Sequence, residues 1–189
     1  MAESSVVSRW FGSRFGALHP ALQALHLKGG RLTGTVEIKV GRGVAGWLGR
    51  RLARSLGIPT DLSRRAFAVD ISHTKTALRW VRRFDNCAIL ESRFVPAGVW
   101  PDGYWVEETG PVRMRLAVDI VDGGWQWRPL QAHLGKIRLP MWLFPRTSAG
   151  KRMVDGQYNF GVDISLPLVG SLLCYEGLLV AECSPASDE

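Results

Sequence analysis

The clearest pattern of apolar and polar positions lies near the C-terminus. Apolar residues occupy every second position of residues 158–166, beginning with Tyr158 and Phe160. This alternation predicts a strand with one face on a core and the other toward water. Residues 166–170 interrupt the pattern with Pro167 and Gly170, and residues 172–180 then resume it with both faces mostly apolar. The pattern predicts a long hairpin, since Pro and Gly favour a turn between two strands.

Strand patterns also dominate the middle of the chain, whereas helical spacing is confined to its first third. Pro20 suits the first position of a helix that ends at Gly29, and Gly57 ends a second helix over residues 44–56. Alternation predicts strands within residues 33–40, 66–84, 87–95, 104–108, 112–120 and 125–134. Residues 138–146 contain two prolines, and we expect them to form a loop that caps an opening.

About eight to ten short strands following N-terminal helices indicate an α+β fold that is mainly β. An open sheet of that size seldom stays flat. We therefore expect a curved antiparallel sheet or half-closed barrel with the N-terminal helices covering one face or end. The 189 residues suit one domain, 1–189, with residues 1–8 and 184–189 flexible.

Composition narrows the class of protein more than it narrows the function. Hydrophobic residues make up 46 % of the chain and charged residues 22 %, which argues against disorder. The net charge of +7 favours anionic partners, but no nucleic-acid-binding module is evident, and nucleic acid is not an expected partner. Three cysteines without C-x-x-C spacing favour reduced thiols, and neither a signal peptide nor a membrane-spanning run is evident. The expected location is cytoplasmic, and no metal or cofactor is expected.

Several short motifs occur in one order along most of the chain. They are L-H-P-A-L-Q at 18–23, W-x-R-x-F at 80–84, E-x-x-G-P at 107–111, P-R at 145–146, D-G-x-Y-x-F-x-V at 155–162, L-P-L-x-G at 166–170 and Y-x-G-x-L at 175–179. Together they resemble the bacterial domain of unknown function 4166. The resemblance implies a domain that occurs alone or appended to dehydrogenase-like nucleotide-binding domains, with no established activity. This chain has no G-x-G-x-x-G after a strand, so a dehydrogenase-like protein would be a separate partner.

Arg82 is the most informative candidate site residue. It shares a predicted strand face with Trp80 and Phe84, so its guanidinium is expected to point inward or across an aromatic rim. A buried arginine needs a carboxylate or carbonyl partner, and Glu107 on the face of Trp105 is the expected one. Arg82 either binds a ligand carboxylate or phosphate or forms a structural pair with Glu107; the structural pair is the favoured interpretation. Arg146 is an alternative for the ligand role.

The leading functional hypothesis is a non-catalytic binding domain for an apolar or lipid-like small molecule. Curved sheets often hold such a ligand in their mouth. The expected pocket lining is aromatic, and Arg82 or Arg146 would bind an acidic head group. The aromatic lining residues are Trp80, Phe84, Trp105, Trp125 and Trp127.

Two other functions remain open. One is a small isomerase-, cyclase- or hydrolase-like enzyme using Arg82, Glu107 and His19. The other is a peripheral membrane module, because the helix over residues 44–56 carries Arg50, Arg51 and Arg54 beside Trp47. The same pattern is also found in any surface helix packed on a sheet.

Overall fold

A computed structural model describes residues 4–85, 87–140, 146–154 and 157–183, with the backbone alone for residues 134, 146–154 and 183. Three α-helices and one 3-10 helix occur within these ranges, and three of the four precede the first strand. They are α1 (Val6–Phe11), the 3-10 helix (Gly12–Ala17), α2 (Pro20–Lys28) and α3 (Gly43–Ser55).

Eleven strands make up one antiparallel sheet in the described part of the chain. They are β1 (Gly30–Val40), β2 (Arg64–His73), β3 (Leu78–Phe84), β4 (Ala88–Ala97), β5 (Tyr104–Thr109), β6 (Val112–Val121), β7 (Gly124–Leu134), β8 (Ile137–Leu139), β9 (Arg146–Val154), β10 (Gln157–Leu166) and β11 (Gly170–Cys183). The spatial order is β6-β5-β4-β3-β2-β1-β11-β10-β9-β7-β8. β6 also pairs with β7, so the sheet curves strongly. The predicted mainly β fold, with a curved antiparallel sheet and N-terminal helices, is confirmed.

The two long C-terminal strands form the predicted hairpin and pair at the centre of the strand order. Tyr158 lies opposite Leu179, and β11 then pairs with β1 on its other edge. Tyr158, Phe160 and Val162 are buried, as their alternation predicts. The two residues before this hairpin, 155 and 156, lie outside the described residues.

Three local expectations are corrected or refined. Helix α1 begins at Val6, within the segment expected to be flexible, because Ser5 and Ser8 form a capping box and Val6 and Val7 are buried. Arg138, expected in a loop, lies in β8 because that strand pairs with β7. Pro129 within the strand pattern of residues 125–134 predicts a bulge or an edge position, and the structure has a bulge there as a register shift between β6 and β7.

Helix α3 packs unusually close to the sheet through small residues. Its buried positions are Ala45, Gly46, Gly49 and Ala53. A Cβ at Gly49 would overlap the backbone carbonyl of Leu172 in β11. The helix therefore depends on glycine at this position for its close approach to β11.

Substituting Gly49→Ala should lower the free energy of unfolding by about 1–3 kcal/mol, because the added methyl forces the helix away from β11. The sign of the change in unfolding free energy distinguishes close packing from a free helix surface, since Gly→Ala within an unobstructed helix stabilises by up to about 1 kcal/mol. Urea unfolding of Gly49→Ala and of Gly16→Ala, where a Cβ would meet nothing within 4 Å, makes the comparison. A Gly49→Ala variant as stable as the parent would contradict the close packing.

Candidate functional site

Seven of the eight predicted site residues lie together in the buried interior of the curved sheet. They come from three strands: Trp80, Arg82 and Phe84 from β3, Trp105 and Glu107 from β5, and Trp125 and Trp127 from β7. All seven are at most 9 % exposed. The eighth, Arg146, begins β9 and its backbone pairs with Ser165, but its side chain lies outside the described residues.

The four predicted tryptophans form one continuous aromatic cluster around Trp127, whereas Phe84 belongs to a second cluster with Phe67, Phe160 and Tyr175. The ring centroid of Phe94 in β4 lies 5.3 Å from that of Trp127, on which it stacks, and 4.9 Å from that of Trp80. The ring centroids of Trp10 in α1 and Trp105 lie 5.3 Å apart, so the N-terminal helix packs against the same cluster. Such rings contribute large buried apolar area and favourable edge-to-face contacts. The predicted aromatic lining is therefore part of the packed interior.

A buried polar network crosses this apolar interior, and we call it the Arg82 network. Its members are Arg82, Ser92, Glu107, Thr109 and Tyr175. Arg82 donates to the Ser92 hydroxyl and, at 3.2 Å, to the Tyr175 hydroxyl on β11. The expected contact with Glu107 is present, with 3.9 Å between Arg82 Nη2 and Glu107 Oε1. The network thus connects β3, β4 and β5 with β11.

Glu107 is held by hydroxyl groups as well as by charge. Its Oε1 accepts from Ser92 at 3.1 Å and from Thr109 at 2.9 Å. Its neighbour Glu108 points the opposite way, to the surface, where it pairs with Arg93 and Arg113. The two adjacent carboxylates therefore cannot act on one atom, as strand alternation predicts.

Several buried donors near this network have no hydrogen-bond acceptor among the described residues. They are Arg82 Nε, Trp105 Nε1, Trp127 Nε1 and Trp10 Nε1. Buried polar groups are nearly always hydrogen-bonded, so a group of orphaned donors needs an explanation. Four buried side-chain donors of the described interior therefore have no acceptor.

Ser92, Thr109 and Tyr175 belong to the network although sequence reasoning did not select them. Ser92 lies between the inward residues Leu90 and Phe94, and Thr109 lies two residues after Glu107. A polar residue on an otherwise apolar strand face is the signal that could have identified both. No local signal relates Tyr175 to Arg82, because the two are 93 residues apart.

His19 and His26 lie at the two ends of the α2 segment and have different surroundings. His19 caps the start of α2, where its Nδ1 accepts from the Ala21 amide at 3.2 Å. His26 is fully buried and stacks on Trp125 at 4.6 Å, and the His73 ring lies 6.1 Å from it. Among the described residues, no group of three or more His, Cys, Asp or Glu side chains is arranged to hold a metal ion.

A buried tyrosine and a surface depression lie outside the Arg82 network. Burial raises the pKa of the Tyr158 phenol well above its ordinary value. A surface depression of about 600 Å³ is lined by Thr35, Glu37, Arg64, Glu176, Gly177 and Leu178. It contains none of the predicted site residues, and Lys39 pairs with both of its glutamates.

Comparison with known families places the chain. The family model described as a domain of unknown function, DUF4166, matches residues 18–179, which is most of the chain. The chain belongs to the DUF4166 family. A search of curated proteins finds no match. Membership of DUF4166 confirms the resemblance of the motifs, and the Arg82 and Glu107 motifs lie within the matched range. Association with a separate dehydrogenase-like protein stays a prediction.

None of the described helices of this DUF4166 member is long and apolar enough to cross a membrane.

Proposed function

We propose that this DUF4166 domain is a non-catalytic binding domain for an apolar small molecule that carries a carboxylate or similar acceptor-rich head group. The ligand's chain would lie against the aromatic cluster, and its head group would accept hydrogen bonds beside the Arg82 network. The observation that carries the proposal is the set of buried donors without acceptors, above all Arg82 Nε.

The chemistry of the head group follows from these buried donors without acceptors. An unsatisfied buried donor costs about 1–3 kcal/mol, so a ligand oxygen that reaches it gains that amount. Glu107, the acidic member of the Arg82 network, already accepts two hydroxyl groups on Oε1. An anionic oxygen is therefore a better match to the remaining groups than an ammonium group.

The described contacts favour binding over catalysis. An acid–base role for Glu107 requires its carboxylate to reach a substrate proton. Here residue Glu107 is 9 % exposed and its carboxylate is hydrogen-bonded to Ser92 and Thr109, which gives it a positioning role toward Arg82. Arg146 remains a second candidate for the head group.

Titration with ligands that share one chain and differ in head group tests the proposal. Decanoate should shift the intrinsic tryptophan fluorescence saturably and bind at least about ten-fold more tightly than decylamine, because one satisfied donor is worth roughly that factor. Acetate supplies the charge without the chain and should have no effect at the same concentration and ionic strength.

Two results would overturn the proposal. Equal or tighter binding of decylamine would show that these buried donors do not select the head group. The absence of any saturable response to decanoate would show that the interior does not accept a chain of this kind. Turnover of an added ester or ketone that is lost in Glu107→Gln, with folding retained, would favour the enzymatic alternative instead.

A further inference from the structure

Helix α3 presents an apolar and basic stripe to solvent. Because its small residues pack on the sheet, the opposite side faces outward, where Val44 is 69 % exposed and Trp47 60 %. Arg51 and Arg54 continue the same stripe, at positions seven and ten residues after Val44. The exposed face of α3 therefore combines large apolar side chains with cations, as helices that lie in a membrane interface do.

The positive charge of this stripe is not neutralised by nearby carboxylates. No acidic residue occurs between Glu37 and Asp61. The ion pairs within the described ranges include Arg65, Arg79, Arg83 and Arg128, but none involves a basic residue of the stripe or its flanks. These residues are Arg42, Arg50, Arg51 and Arg54. Their charge remains available to an anionic partner.

The turn between β10 and β11 adds an apolar tip beside the start of α3. Gly41, two residues before α3, contacts the start of β11 just after this turn, because its amide donates to the Leu172 carbonyl at 3.0 Å and a Cβ there would lie 2.8 Å from Ala45 Cβ. At the tip of this turn Leu168 is fully exposed. Its φ is 66°, a left-handed conformation that turns usually assign to Gly or Asn. Leu168 is thus exposed to solvent although its backbone conformation is one that leucine rarely adopts.

We infer that α3 and the β10–β11 turn dock this domain on an anionic lipid bilayer. The docking surface consists of Val44, Trp47 and Leu168 as the inserted residues and Arg42, Arg50, Arg51 and Arg54 as the lipid-phosphate contacts. Tryptophan prefers the interface between water and hydrocarbon, and arginines beside it bind lipid phosphates. Exposed aliphatic tips gain free energy by entering acyl chains and gain none from a nucleic-acid backbone, so the lipid surface is the better partner.

Vesicle flotation tests this inference on the full chain. The protein should float with vesicles of phosphatidylcholine containing phosphatidylglycerol and remain unbound with phosphatidylcholine alone. Substituting Arg51→Glu together with Arg54→Glu should weaken partitioning by at least about ten-fold, since each cation near an anionic surface contributes roughly five-fold. Substituting Trp47→Ser together with Leu168→Ser should weaken it by a comparable factor.

Matched variants separate docking from net charge and general hydrophobicity. Arg14→Glu with Arg113→Glu makes the same charge change at exposed arginines elsewhere, and Val99→Ser with Ile137→Ser removes two other exposed apolar residues. Both should bind like the parent. The inference would be overturned if the parent protein did not bind anionic vesicles. It would also be overturned if the docking-surface variants and the control variants lost the same amount of vesicle binding. Decanoate binding is measured without vesicles, so failure of either proposal leaves the other standing.

Discussion

Replacing Arg82 by methionine should lower the free energy of unfolding by about 3–5 kcal/mol, one of the two largest losses expected from a single substitution. The change leaves Glu107 buried with its hydroxyl partners and no cation. It also removes the donor to Tyr175, which connects β3 with β11. Urea unfolding followed by circular dichroism measures the loss.

A double substitution identifies the cause. Arg82→Met combined with Glu107→Leu removes both charges, and buried ion pairs replaced by apolar residues are often neutral in stability. The double variant should therefore recover most of the loss. Arg79→Met is the control, because its pair with Glu91 is half exposed and such pairs contribute at most about 1 kcal/mol. A double variant as unstable as the sum of the two single variants would contradict the proposed coupling.

Replacing Trp105 by alanine should lower the free energy of unfolding by about 3–5 kcal/mol. Trp105 has no exposed surface and contacts both Trp10 and Trp127, so its loss opens a cavity between α1 and the sheet. The change should also reduce the near-ultraviolet circular dichroism of the aromatic cluster.

Trp47→Ala is the matched control, because it removes the same side chain from a 60 % exposed site on α3. Surface substitutions of this kind usually change stability by less than about 0.5 kcal/mol. Equal effects of the two substitutions would show that the aromatic cluster does not stabilise the fold as described.

Strand periodicity predicted much of the fold and part of the candidate site. Alternation along β3 placed Trp80 and Phe84 on one face with Arg82, and the buried position of all three agrees with it. The same reasoning placed Glu107 beside Trp105 and made it the partner of Arg82, which the 3.9 Å contact confirms. These inferences succeed because the side-chain direction of a strand depends on local sequence alone.

The same reasoning could not predict which residues far apart in the sequence come into contact. The register that brings Ser92 against Arg82 depends on how β3 pairs with β4, and the approach of Tyr175 depends on the curvature of the whole sheet. His26 and His73 meet only because α2 packs on β2. Periodicity does not encode these distances, since they follow from which strands become neighbours.

The capping of α1 shows a different limit. Residues 5–8 are mostly small and polar or aliphatic, and their composition suggested a flexible terminus. Reciprocal hydrogen bonds between Ser5 and Ser8, together with burial of Val7, order the segment instead. A local cap and a tertiary contact together, rather than composition, determine the structure there.

The most direct test of a ligand-binding interior is native mass spectrometry of the freshly purified protein, followed by organic extraction. The proposal predicts a co-purifying mass in the lipid range that extraction identifies as an acid with an apolar chain. A clean mass of the protein alone, unchanged after incubation with a lipid extract, would contradict it.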